Sequence, residues 1–273
     1  GGMPKSNWLW HWKRTGWWPE PEAPEIFILD GKPAPHAQSL DAIMPGGFYL
    51  NRNENPVRIR FRLPAGRSLG DCRVEVPGNH GVIINDDHVV IRNLASTYSS
   101  DDGFSTFLAA SAVFYNVYGA FNCDQGLSLH NATTALVEGG LFERNGGCGI
   151  ADVMNTQSVY IQCVVRRNMV SGMWLAGSSH TVQSSYLVDN RGAQITVCPG
   201  TRANIINSVI RARDRIETLQ AGVDAQGDAR IDRCTIGACT VGVQVTGRAE
   251  ISNSLLLACE KALVSAVPGR TNL

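Results

Sequence analysis

The sequence predicts an all-β chain wound as a single-stranded parallel β-helix, and two observations carry that prediction. A glycine followed by alternating apolar residues returns at a fixed interval: GVII (Gly81), GFST (Gly103), GLSL (Gly126), GIAD (Gly149) and GMWL (Gly172). The series continues as QITV (Gln194), GVDA (Gly222), GVQV (Gly242) and ALVS (Ala262), with steps of 22, 23, 23, 23, 22, 28, 20 and 20 residues. Fixed-period self-similarity marks a solenoid, and period-two alternation makes its unit a strand rather than a helix. The second observation is a column of Asn122, Asn145, Asn168 and Asn190 just ahead of the strand glycine, spaced 23, 23 and 22 residues apart. Asparagine tolerates the left-handed conformation of a sharp turn, and its amide can bond the next coil.

Each repeat carries a further β-rich segment: HVVIRNL (88–94), AVFYNVY (112–118), ALVEGGLF (135–142), SVYIQCVV (158–165), TVQSSYLV (181–188), NIINSVI (204–210), RIDRCTI (230–236) and EISNSLL (250–256). Stacked side-chain ladders of this kind hold flat sheets together. The asparagine column resembles the ladder of pectate-lyase-type right-handed β-helices, which implies a right-handed solenoid of about 8–9 coils. Residues 71–267 form the solenoid on this reading, behind a strand-rich N-terminal cap at 1–70 and ahead of a short tail at 268–273.

The cap segment has two parts. Trp8, Trp10, Trp12, Trp17 and Trp18 crowd the stretch before PEPEAPE (19–25). They read either as a lid over the apolar mouth of the first coil, which solenoids need, or as a sugar-stacking platform. IFILDGK, PGGFYLNRN and VRIRFRLPAG then read as short strands with turns, Asp30-Gly31 being the clearest hairpin signal. Arg58, Arg60 and Arg62 alternate with Val57, Ile59, Phe61 and Leu63, either as a solvated strand face or as a grip for an acidic polymer. The order LDGK, PGGFYL, RLPAGRSLGDCRVEVP, HVVIRNL resembles the segment preceding the coils of bacterial β-helix glycoside hydrolases with xylosidase or fucosidase activity. That resemblance, over about residues 26–270, implies a secreted or periplasmic bacterial protein acting on carbohydrate. Gly1-Gly2 reads as an added leader. Met3 is then either a native start without a secretory signal or an internal residue of a trimmed precursor.

The formal net charge is zero, which removes any global pull toward nucleic acid or membrane. No apolar run reaches membrane-spanning length. The eight cysteines show no zinc or thioredoxin spacing. Cys163 and Cys234 fall in a small-residue column with Ser185, Ser208 and Ser254, as buried structural thiols would. Cys239 and Cys259 occupy one register on neighbouring coils and either stack reduced or pair. The abrupt end at VPGRTNL leaves the last coil without an evident cap, so the chain is expected as a monomer or as a dimer through that end.

Chemistry is expected on the face carrying the glycine repeat. Residues one after the glycine (Phe104, Leu127, Ile150, Met173, Ile195, Val223, Val243, Leu263) should point inward. Residues two after it (Ser105, Ser128, Ala151, Trp174, Thr196, Asp224, Gln244) should point outward and line a groove for an extended polymer. At its head, SSDDG puts Asp101 and Asp102 before Gly103, and NCDQG puts Asp124 and Gln125 before Gly126. Asp101 and Asp124 then share a register one coil apart, about 5 Å, the carboxylate separation of retaining glycosidases. Stacked like charges push one acid up and leave its partner ionised. Asp101, Asp102 and Asp124 are therefore the candidate catalytic residues. Ser105, Gln125, Ser128, His130, Asp152 and Trp174 are the candidate sugar contacts, with Asp152 the weaker because alternation turns it inward.

This corner is also similar to the acidic triad of polygalacturonase-type hydrolases. The pair here lies on the earlier coil, however, Gly147-Cys148-Gly149 stands where Gly-His-Gly is usual, and the Arg-Ile-Lys motif is absent. The expected function is a glycoside hydrolase on a polysaccharide or oligosaccharide, needing no cofactor. The alternatives are a lyase or epimerase on a uronate polymer, with the acids holding Ca²⁺ and Arg144, Arg166 or Arg167 supplying a base, or a non-catalytic glycan-binding solenoid. Asp86-Asp87-His88 reads as a turn that could also bind a cation.

Overall fold

A computed structural model describes residues 27–51, 58–76, 79–107, 109–212, 221–266 and 271–272. Three long parallel sheets dominate it, and each coil contributes one strand to each. Sheet A stacks the glycine-repeat strands, from Val82–Ile84 through Phe104–Thr106, Leu127–Leu129, Ile150–Asp152, Met173–Leu175 and Ile195–Val197 to Ala221–Ala225, Val241–Val245 and Lys261–Ser265. Sheet B runs from Val89–Arg92 to Thr271–Asn272, and sheet C from Ala95–Thr97 to Leu255–Leu257. The register keeps the repeat positions opposite one another: Phe104 faces Val82 and Leu127, and Ile195 faces Val223 across the long 28-residue step. Part of that step, 213–220, lies outside the described residues. No α-helix occurs among the described residues, and no helix is long and apolar enough to cross a membrane.

The glycine repeat and the asparagine column turn out to be one device. Asn122, Asn145, Asn168 and Asn190 are buried, and the first three Nδ2 atoms donate to the asparagine Oδ1 on the next coil at 3.0, 2.9 and 2.8 Å. Asn190 Nδ2 donates at 2.8 Å to Gln194 Oε1, four residues on in its own coil, and Asn122 Oδ1 accepts from the Ser99 amide at the other end. Each Nδ2 also donates back to a sheet C carbonyl: Ser96, Gly119, Phe142 or Val165. The amide nitrogens occupy the space a side chain would need at the strand glycine. A Cβ added at Gly103, Gly126, Gly149 or Gly172 would meet Asn Nδ2 at 2.6, 2.8, 2.6 or 2.6 Å. In later coils Cys239 and Cys259 stand beside Gly222 and Gly242 instead, and both are free thiols. Burial pushes Cys163 up to about 12 and Cys239 to about 11, as inert structural thiols require. A second ladder runs down the sheet B–C corner, where Cys163, Ser185 and Cys234 amides donate to Ser185, Ser208 and Ser254 hydroxyls.

Inside, the expected column holds: Phe104, Leu127, Ile150, Met173, Ile195, Val223 and Val243 are all 0 % exposed, and Leu263 in the last coil is partly buried. Dense burial of this kind contributes about 1.5–3 kcal/mol per large side chain, an upper estimate against an extended chain. Ahead of the coils, Ile28–Leu29 pairs antiparallel with Lys32–Pro33 around Asp30 and Gly31, at φ 52° and 72°, as the hairpin signal predicts. Phe27, Leu29, Phe48 and Leu50 bury against Cys123 of the second coil, with Ile59 and Phe61 packed on them. Arg58 and Arg62 are exposed and Arg60 is half-buried. The tryptophans of residues 8–18 lie outside the described residues. His88 is a left-handed turn residue bonded to Ser111 Oγ, and Asp87 accepts from the Ala110 amide, so the Asp86-Asp87-His88 turn is held by its own coil neighbour.

Asn145→Ala would leave Asn122 Nδ2, the Asn122 amide and the Gly119 carbonyl without their buried partner. At about 1–3 kcal/mol per stranded group, the expected loss is about 3–5 kcal/mol. Denaturant midpoints of the two proteins check it, and a loss below about 1 kcal/mol would remove the ladder from its structural role.

Candidate functional site

The turn from sheet C into sheet A puts two positions immediately before the strand glycine. The nearer column carries His80, Asp102 and Gln125, and the farther one Asn79, Asp101, Asp124 and Gly147. Their stacking is set by backbone bonds from Gly81 N to the Asp102 carbonyl, from Gly103 N to that of Gln125, and from Asp124 N to that of Asp101 at 3.2 Å. Asp101 and Asp124 therefore share a register on adjacent coils.

Asp101 and Asp102 are 8 % and 3 % exposed, and His80 bridges them. Its Nε2 lies 3.6 Å from Asp101 Oδ2 and its Nδ1 3.3 Å from Asp102 Oδ2. Burial lowers the His80 pKa, but the bond to Asp102 and the charges of Asp101 and Asp102 outweigh it and leave it raised. The Gln125 amide donates to Asp102 Oδ1 at 3.2 Å. Asp124 stacks over Gly147, where an added Cβ would meet Asp124 Oδ1 at 2.2 Å, so the glycine gives this carboxyl its berth. Desolvation first, and then the charges of Asp102 and Asp101, push the Asp124 carboxyl well above the usual carboxylate range. The corner thus sets an acid of raised pKa next to an acid pair tied to an imidazole.

His80 was not among the residues singled out from sequence. The signal for it was present, since it precedes Gly81 as Asp102 precedes Gly103. Phe107 also joins the site, edge-on to His80 with centroids 5.2 Å apart and stacked on His130 at 5.1 Å. The Ser128 hydroxyl and His130 Nε2 are 2.9 Å apart, and the His130 amide donates to Thr106 Oγ1.

The outward column departs from the open groove expected of it. Ser105 and Ser128 are 0 % and 3 % exposed, and Ala151 and Thr196 are buried too. Ser105 Oγ is enclosed with no hydrogen-bond partner. Trp174, at 37 % exposure, is the large outward side chain that presents a face to solvent, three coils or about 14 Å from Ser105. Asp152 has to be removed from the sugar contacts. It is fully enclosed, accepting from Tyr160 OH at 2.8 and 2.9 Å and from Ser158 Oγ at 2.7 Å, with His180 Nδ1 3.0 Å away. Alternation along its strand turns it into the core, and its oxygens are already engaged. Of the arginines, Arg166 pairs with Glu143 on sheet C at 2.7 Å, and Arg144 lies over the Phe121 ring.

His80, Asp101 and Asp102 also converge as metal donors, their ligand atoms all lying within 4.8 Å of one another. One imidazole and two carboxylates match the donor preference of a transition-metal dication better than the all-oxygen shell Ca²⁺ takes. The Ca²⁺ expected for a lyase is thus poorly matched by these three residues.

The family described as "Right handed beta helix region" matches residues 64–210. Among solved structures the chain is similar to one titled "Crystal structure of pectate lyase Pel9A", with a TM-score of 0.54 and 14 % identity. The likeness covers 71 % of this chain and 55 % of that one, so the chain spans about half the length of this neighbour. At that identity it is a likeness of fold. No curated protein matches the chain.

The raised groups set the sign of a pH effect. Folding keeps a proton on Asp124 that the unfolded chain loses near pH ~3.9, so the associated stability is intact below about pH 4 and falls as pH rises through the folded value. His80 acts the same way from about pH 6.5 upward. Thermal melting temperature should therefore fall between about pH 5 and 8, and Asp124→Asn should melt higher at neutral pH with a flatter profile. Parallel pH profiles for the two proteins would contradict a desolvated acid at this position.

Proposed function

Since the chain belongs to the right-handed β-helix family, we propose that its acidic corner cleaves glycosidic bonds in a polysaccharide or oligosaccharide. The observation that carries the reading is the stacking of Asp124 one coil from the Asp101–Asp102 pair, where burial and the neighbouring acids push its carboxyl well above the usual carboxylate range. Glycoside hydrolysis asks for that division of labour: one acid to protonate the leaving oxygen and one ionised carboxylate to attack the sugar or activate water. Asp124 is the general acid. Asp101 or Asp102 is the nucleophile or base, with His80 bridging the two carboxyls. A coil spacing of about 4.8 Å favours the retaining course. His130, hydrogen-bonded to Ser128 and stacked on Phe107, presents a fixed polar edge for sugar hydroxyls, and Trp174 offers a stacking surface farther along the sheet. Polysaccharide as substrate agrees with a secreted or periplasmic protein.

A second reading has a specific observation behind it. A dication held by His80, Asp101 and Asp102 would neutralise a uronate carboxylate and acidify the proton beside it, as elimination requires.

The test is mass analysis of products from neutral and uronate polysaccharides, with chelator or with added Zn²⁺, Mn²⁺ or Ca²⁺. Fragments that have gained water, formed in chelator, are expected. Asp124→Asn should lower the rate by about 10²–10⁴-fold while the protein melts no lower than wild type. Unsaturated, metal-dependent fragments would transfer the corner to the lyase reading. An untouched panel would leave the solenoid as a binding module.

A further inference from the structure

Sheet B carries an arrangement the acidic corner does not use. Its strands Arg202–Ile206, Asp228–Asp232 and Arg248–Ser252 lie side by side. Their register stacks Arg202, Asp228 and Arg248 in one outward column and Asn204, Arg230 and Glu250 in the column beside it. The three guanidiniums are exposed, and none makes an ion pair or hydrogen bond among the described residues, although Asp228 and Glu250 are their coil neighbours. A cavity of about 160 Å³ lies over these six side chains.

The adjoining corner is bare for a steric reason. A Cβ on Gly227 would meet the Cys198 carbonyl oxygen at 2.3 Å, and one on Gly247 would meet that of Gln226 at 2.3 Å. Close coil packing thus excludes side chains there and leaves a second cavity of about 330 Å³, bordered again by Arg202, Asp228 and Arg248. The two hollows share that column and form one trough across three coils.

We propose that this trough is a binding subsite for an anionic saccharide chain, separate from the acidic corner and on another sheet. Arg202 and Arg248 are two coils apart, about 10 Å, so each can hold one oxyanion of an extended chain. Guanidinium forks suit carboxylate and sulfate alike. Asp228, Asn204 and Glu250 between and beside them accept sugar hydroxyls. The same two carboxylates disfavour a nucleic acid, whose strand brings a phosphate about every 3.4 Å. The trough begins three coils beyond Asp124, about 14 Å along the axis, so one polymer wrapped over the sheet A–B corner can reach both places. The inference does not depend on cleavage at the acidic corner.

Calorimetric titration in the Asp124→Asn chain, which keeps a substrate intact, tests it. The probes are an oligogalacturonate, dextran sulfate, neutral dextran and a single-stranded DNA. At least one of the two anionic glycans should bind, neutral dextran should not, and Arg202→Ala/Arg230→Ala/Arg248→Ala should weaken that binding at least about tenfold. Oligogalacturonate alone would identify the carboxylate as the partner, and dextran sulfate alone the sulfate. Because all three arginines are exposed, the variant should melt with the parent, and the single variants serve if it does not. Unchanged affinity in the variants, binding of neither anionic glycan, or DNA bound as tightly through the same arginines would overturn the proposal. Loss of cleavage activity elsewhere in the chain would leave this readout unaffected.

Discussion

Everything in this molecule depends on a mutual exclusion between two atoms: the amide nitrogen of a ladder asparagine and the Cβ that its neighbouring strand residue does without. The amide must enter the wall of the solenoid to reach the next coil and the sheet C carbonyl, and only glycine leaves the opening. The repeat visible in the chain as a glycine is thus the imprint of a hydrogen-bond ladder. The ladder satisfies buried amides that would otherwise each cost about 1–3 kcal/mol. It also fixes the height of the coils it spans, and hence the stacking of whatever stands beside it.

The candidate site is what stands beside it. Asp101, Asp102 and Asp124 occupy the two turn positions between the ladder and the glycine, so their separation is dictated by coil spacing and not by loop conformation. That placement resembles strain deliberately kept: acids at adjacent heights repel, and the frame is stiff enough to hold them there. Gly147 deepens the effect by letting Asp124 settle over the next coil, where water does not offset the charge. His80 supplies the counterweight from the coil below.

The frame was legible because it repeats. Period-two alternation identified the inward column, and the spacing of four asparagines located the ladder and its partner glycines. What was not legible came from residues that meet across different sheets. Asp152 was suspect from its phase alone, but its partners Ser158, Tyr160 and His180 lie on another face, and no local pattern joins them. His80 escaped notice because its copy has Pro77, four residues before Gly81, where later copies carry the ladder asparagine, and it has no acid to mark it. The enclosure of Ser105 and Ser128 depends on what folds over the sheet, and alternation says only that they point outward. The arginine trough was hidden for the opposite reason: outward columns of a solvated sheet carry charge everywhere, and only the register shows which charges align.

The buried group around Asp152 bears on a problem every repetitive chain has. Coils of nearly equal length and nearly identical apolar lining can pair one repeat out of step, and hydrophobic columns would accept the error. A carboxylate that needs a phenol, a hydroxyl and an imidazole at one height gives the stack a unique address. Shifted by one coil, Asp152 on the first sheet would meet Val137 and Ala135 in place of Tyr160 and Ser158, or Ala203 in place of His180, stranding an unpartnered carboxyl in the core. The group therefore acts as an indexing pin, which tells an otherwise interchangeable series of turns where to begin counting.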